Sequence, residues 1–499
     1  MNLNHWCELD ELIHVSQTDE QYKQYSGIRY NEKLIEQMAQ MKIKNSEIFL
    51  DFFSHPRPLL LGALEDIAYS KTKNLELELH NTRNTKIVSS KHMFKESSVN
   101  WSNWRQFNSL EPDTKKRKEV FDEFIDKTKY ILPIIESRFS IIKHIYQENV
   151  NGSRESKGRG QDIDKLDPVS AYLEDENISY EKLVEFVKSI GQRARKPFQE
   201  AVSDIGKAIL GGKEPDYYDD FYYFRNKAYF DIDNSFVKVD PLGEVKKILN
   251  NMDFDLSRIH FDTEDRKNKY PSPICFFVKI PEDIRILYKN ESPYFDIQAC
   301  FHETGHAMHA SSIDLNNKYW EKYRLSMGIA EIFSIYLERL TKNTRYISSL
   351  SSTIKGDQKI IDKLISRNNF MELFFITFYT ANSLMKLEFW KENLSMDKAS
   401  ELYARLIKEY TGFDIPGQYW MLHHILPESI MYVPSYLLAA VRAAELDTFI
   451  GNKYGDKWWN EKDVGKDLRE IMKPGSKIDL TVFSKLDVDV FLKEVTFYR

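Results

Sequence analysis

The sequence predicts a mainly α-helical fold, and three observations carry that prediction. Apolar residues recur at three- and four-residue spacing in many segments, strand signals are few, and the composition of 42% apolar and 13% aromatic residues lies in the ordered, globular range. A chain of 499 residues buries a large core without disulfides or metal staples.

Taken in order, Leu183, Val184, Val187 and Ile190 mark one apolar face of a helix, and Ile360, Ile361 and Leu364 mark another. The polar, glycine-bearing run Asn151 to Gln161 reads as an exposed loop, and Gly211-Gly212 to Pro215 as a second break. They suggest a helical N-terminal region over 1–210 and a catalytic region over 211–499. Tyr217 to Phe230 holds many aromatics, expected as core or cleft wall rather than as a platform for bases. Ile274 to Ile280 is the best strand signal. With Ile284 to Tyr288, beyond Pro281, it predicts a short hairpin or small sheet. The most apolar stretch, Leu373 to Met385, is broken by Thr377, Thr380, Asn382 and Ser383 and is too short for a bilayer, so it reads as a buried helix. There is no internal repeat at a solenoid period.

Charge and cysteine usage narrow the functional classes. Seventy Lys+Arg against 76 Asp+Glu leave a formal charge of -6 with no basic block, which argues against a nucleic-acid partner. Cys7, Cys275 and Cys300 lack the paired spacing of a zinc knuckle or redox motif and suit a reducing compartment. Met1 to Asp10 begins polar and turns acidic, unlike a signal peptide. A cytoplasmic enzyme with no membrane partner is expected.

The chemistry concentrates in Phe301 to His309, FHETGHAMH, which contains H-E-x-x-H at His302, Glu303 and His306. Residues four apart on a helix share one face, with Cβ atoms about 5–6 Å apart, so both imidazoles can hold one tetrahedral ion. Glu303 lies beside them, placed to take a proton from a metal-activated water and to return it to a departing amine. By chance this pattern arises on the order of one or two times per hundred chains of this length. Gly305 is a poor helix former; a small residue here lets substrate or another helix approach closely.

A third ligand is needed to leave one position open. The metzincin arrangement requires Gly at 309 and His at 312, where this chain has His309 and Ser312. The remaining choice is a carboxylate from a later helix: Glu321, Glu331 or Glu338. Glu331 lies in GIAEIFSIYLERL, among Ile329, Ile332, Phe333, Tyr336 and Leu340, where an unpaired carboxylate is costly, and it is the best candidate. Glu338, two turns further on, is placed to orient a histidine, although an ordinary surface charge is the favoured reading there.

FDIQACFHETGHAMH followed by AEIFS resembles the thimet oligopeptidase and oligoendopeptidase F family of zinc metallopeptidases, with Glu331 and Ser334 supplying its E-x-x-S element. The upstream PSPICFF is similar to the segment ahead of the family's zinc helix, without its usual glycines. The resemblance implies one Zn2+ held by His302, His306 and Glu331, with Glu303 as the base. It also implies substrate-binding and oxyanion-stabilising roles for His424, Tyr432 and Tyr436, with His423 an alternative to His424. Pro434 interrupts that second element. The implied architecture is a large helical ellipsoid with a deep substrate channel and a small β-sheet or hairpin next to the zinc helix. The implied activity is endoproteolysis of short oligopeptides.

Carboxypeptidase Taq and angiotensin-converting enzyme carry a similar zinc helix and helical build, so a zinc carboxypeptidase or dipeptidyl carboxypeptidase is the alternative. AEIFS lacks a second histidine motif, which weighs against the first of these. A peptide-binding homologue without catalysis is a third reading.

Overall fold

Why the site sits where it does begins with helix capping and sheet pairing in the computed structural model of the chain. It describes residues 2–53, 57–85, 87–101, 103–155, 168–220, 222–223, 229, 231–270, 272–289, 293–350, 357–422 and 430–496. The fold is mainly α, 73% helical with small sheets. The chain divides into two compact units, each assembled from separated stretches.

The first unit comprises Met1–Asp66, Ile232–Ile365 and Leu438–Lys493. Its N-terminal helix, Leu3–Tyr25, starts where the Asn2 side chain accepts a hydrogen bond from the His5 N–H, and Asn31 caps Glu32–Phe52 in the same way through Leu34. A three-stranded sheet follows. Asp283–Leu287 is its central strand, antiparallel to Ile274–Lys279 with Phe277 opposite Ile284, and parallel to Ile259–Asp262 with Ile259 also opposite Ile284. The expected hairpin is therefore present, joined by a parallel strand. Ile259, Ile280, Ile284 and Ile286 pack against Ala307 and Ala310 of the helix Pro293–Ser312 and against Ile313 just beyond its end, which seats the H-E-x-x-H helix on the sheet.

That helix crosses Met327–Arg339 closely. A Cβ at Gly305 would lie 2.3 Å from the Phe333 carbonyl oxygen and 2.6 Å from the Ser334 Cα, so only glycine permits this approach. The small residue admits another helix.

The second unit comprises Ile67–Asp231, Ser366–Leu437 and Glu494–Arg499. Aromatic packing dominates its core: Trp104 stacks on Phe124 at 3.8 Å, and Phe139 packs on Phe389 and Trp390. In the helix Gln358–Lys391, Thr377 and Asn382 are buried because they bond the carbonyls of Leu373 and Phe378, one turn back. The most apolar stretch is thus a buried helix, and no described helix is long and apolar enough to cross a membrane.

One detail differs from the sequence reading. The helix Leu132–Glu155 runs through the first five residues of the expected Asn151 loop, and 156–161 lie outside the described residues. Of the aromatic run Tyr217 to Phe230, Tyr223 and Tyr229 are buried, while 221, 224–228 and 230 lie outside the described residues. The break at Gly211-Gly212 follows the helix end at Ile209, with φ of +67° and +90°.

Candidate metal centre

His302 and His306 project from one side of Pro293–Ser312, their rings 5.0 Å apart between centroids and nearly perpendicular. Met327–Arg339 delivers Glu331 to the same point. Its Oε2 lies 3.3 Å from His302 Nε2 and 3.5 Å from His306 Nε2, and all three donor atoms fall within 4.8 Å of one another. A tetrahedral ion with bonds of about 2.0–2.1 Å sets its donors about 3.3 Å apart, so this set fits a divalent metal in both chemistry and spacing.

The supporting contacts explain the geometry. Ser334, fully buried one turn after Glu331, donates its hydroxyl to Glu331 Oε2 at 2.9 Å and so fixes the carboxylate that approaches both rings. Glu338 bonds His302 Nδ1 through Oε2 at 3.0 Å, while its other oxygen meets the Lys342 ammonium at 3.0 Å. It is no surface charge. A carboxylate on Nδ1 leaves Nε2 free to face a metal, and it sets both tautomer and ring orientation. The expectation failed because the average glutamate is exposed, whereas the helix crossing at Gly305 brings this one under His302.

Electrostatics follow from the packing. Burial alone would lower the His302 pKa, but Glu331 and Glu338 outweigh it and hold the ring well above the usual histidine range. Burial would raise Glu331 and Glu338; instead His306 and His302 hold Glu331 well below the usual carboxylate range, and Lys342 with His302 pulls Glu338 down to about 2. His309 takes no part in the cluster. It packs on Phe333 at 4.6 Å, and burial lowers its pKa to about 3.

Glu303 stands outside the donor group. Its Oε2 accepts the Cys275 backbone N–H at 2.7 Å, from the edge strand Ile274–Lys279. Sequence reasoning placed Glu303 beside the histidines but had no signal for this backbone partner. Burial and the Glu303 charge together push the Cys275 thiol well up, so it stays protonated.

Glu321 is engaged elsewhere, capping the short helix Tyr319–Tyr323 at Lys318 and pairing with Lys477. Tyr432 and Tyr436 open the helix Tyr432–Tyr454 in the second unit, half-buried, with ring centroids 5.9 Å apart. Phe375 and Tyr379 pack against Tyr436 there. His423 and His424 lie outside the described residues.

Residues 244–437 match the model of peptidase family M3, a span that contains the whole donor set and Glu303. That match indicates a metallopeptidase, and the peptidases of that family are metal-dependent. Among solved structures, the M32 carboxypeptidase from Deinococcus radiodurans R1 shares its fold with a TM-score of 0.62 and 13% identity, over 98% of this chain and 96% of that one. BsuCP is similar at a TM-score of 0.56 and 14% identity, over 98% and 97%. A comparison with curated proteins finds no match.

Proposed function

We propose that this chain is a zinc-dependent oligopeptidase of the M3 type that hydrolyses internal bonds of short, unstructured peptides. One observation carries the reading: two imidazoles and a carboxylate converge at tetrahedral spacing while a second carboxylate, Glu303, is held beside them by a different partner. Three protein donors leave a fourth position for substrate or water, the arrangement of a catalytic rather than a structural site.

His302, His306 and Glu331 would hold the ion, which when bound supplies Lewis acidity, lowering the pKa of water and polarising a carbonyl. Glu303 removes the proton as a water oxygen bonds to the peptide carbonyl carbon. It then delivers that proton to the amine nitrogen as the C–N bond breaks. Glu338 keeps His302 oriented. Tyr432 and Tyr436, one turn apart, are proposed to donate their hydroxyls to the developing oxyanion, with His424 binding substrate. Zinc suits the two-imidazole, one-carboxylate set, and cobalt or manganese suits the same ligands. The unpaired Cys7, Cys275 and Cys300 support a cytoplasmic location.

A second reading, removal of residues from peptide C termini, is favoured by the likeness to two carboxypeptidase structures that spans nearly the whole chain. Mass spectrometry on defined peptides with free or amidated C termini separates the two. Internal fragments from both substrates support the first reading, and stepwise loss only from free C termini supports the second. In either case Glu303→Gln should retain metal while kcat falls about 10²–10⁴-fold. Protein that binds no stoichiometric divalent metal and cleaves no peptide would overturn both. Tight peptide binding without turnover in the metal-loaded protein would instead identify a binding homologue.

A further inference from the structure

The strand that holds Glu303 is an edge. Among the described residues Ile274–Lys279 pairs on one side only, with Asp283–Leu287, so alternate residues turn their backbone groups away from the sheet. Side chains take the place of a neighbouring strand there. The Cys275 N–H goes to Glu303 at 2.7 Å, and the Phe277 carbonyl meets His14 Nε2 at 2.8 Å. Just past the strand, the Ile280 N–H donates to the Tyr323 hydroxyl at 2.9 Å.

His14 comes from the N-terminal helix Leu3–Tyr25, which packs along this strand. A carbonyl can only accept, so His14 Nε2 carries the proton. The ring packs on Tyr323 at 4.8 Å, and the Tyr323 hydroxyl donates to Glu11, one turn before His14 on the same helix. Burial among these elements holds the His14 pKa down to about 4, so the ring is neutral at neutral pH and keeps a single donor.

We propose that His14 is a positioning residue for peptide hydrolysis: by holding the Phe277 carbonyl it fixes the edge strand whose Cys275 N–H, two residues away, aims the Glu303 carboxylate. The inference rests on Glu303 as the base. Two residues of strand span about 6.6 Å, and a strand laddered on one side is free to twist about that ladder unless its outer edge is pinned. A misplacement of about 1 Å in a catalytic group can cost about 10²-fold in rate.

The test uses the full-length, metal-loaded protein with His14→Leu, His14→Gln and His14→Asn. Leucine fills the space without a donor, glutamine carries an amide nitrogen about as far out as Nε2, and asparagine falls short. Leucine and asparagine should lower kcat about 10–100-fold with metal stoichiometry unchanged, and glutamine should return it to within about threefold of wild type. Independently of activity, hydrogen exchange in the peptide spanning 274–279 should quicken in the leucine and asparagine variants and slow again with glutamine. The proposal is overturned if the leucine variant keeps kcat within about twofold, or if all three variants lose rate and protection equally, which would mean a packing role alone. Should the leucine variant fail to fold, the glutamine and asparagine pair decides on the same criteria. Failure of the base reading shows separately, as full activity in Glu303→Gln with His14 intact.

Discussion

Gly305→Ala is the sharpest perturbation, because a single methyl group forces apart the two helices that bring the metal donors together. The new Cβ would stand 2.3 Å from the Phe333 carbonyl oxygen, 2.6 Å from the Ser334 Cα and 2.8 Å from the Phe333 carbonyl carbon. All three are backbone atoms, so no side chain can swing aside. Ordinary contact begins at 3.4 Å, and 3.4 less 2.3 leaves a shift of 1.1 Å along the closest approach. Ser334 and Glu331 ride on the displaced helix, and Glu331 Oε2 starts 3.3 Å and 3.5 Å from the two imidazole nitrogens. Metal sites tolerate about 0.2 Å in ligand distance, roughly a fifth of that displacement. The expected outcome is a loss of divalent-metal affinity of at least about 100-fold, with overpacking costing about 1–3 kcal/mol of stability. Chelator competition with metal analysis reads the first, and thermal unfolding of the metal-free protein reads the second. An alanine variant that binds one metal at wild-type affinity and melts within about a degree of wild type would refute the reasoning.

Two further perturbations test the surroundings. Glu338→Gln should weaken metal binding about 10–100-fold by loosening His302, while Glu321→Gln, whose parent side chain pairs with Lys477, should leave affinity unchanged in the same titration. Asp262 is buried with Lys269, and although burial raises its pKa, Arg266 and Lys269 hold the carboxyl below its ordinary value. A depressed folded pKa means the stabilisation is complete above the unfolded value of about 3.9 and is lost as pH falls through the folded one. Asp262→Asn should therefore destabilise the protein at pH 7 by about 3 kcal/mol, leaving Lys269 underpaired. It should also flatten the fall in stability below about pH 4; denaturant unfolding from pH 7 to 3 measures both.

What the sequence determined by itself was local. Helical periodicity set His302 and His306 on one face, because four residues make about one turn, and a short run of apolar and aromatic residues marked Ile274 to Ile280 as strand. Glu331 was legible 25 residues beyond His306 because a carboxylate inside an apolar stripe demands a partner. What only the tertiary structure decided depends on segments distant in the chain. The parallel strand Ile259–Asp262 has no hairpin turn to announce it. Glu338 meets His302 only because two helices cross at a glycine, Glu303 finds its partner in a backbone N–H 28 residues earlier, and His14 reaches Phe277 across 263 residues. Sequence spacing encodes contacts within one helix or hairpin. Contacts between elements are set by how those elements pack, and in this protein the packing of a sheet and two helices decides which carboxylate faces which imidazole.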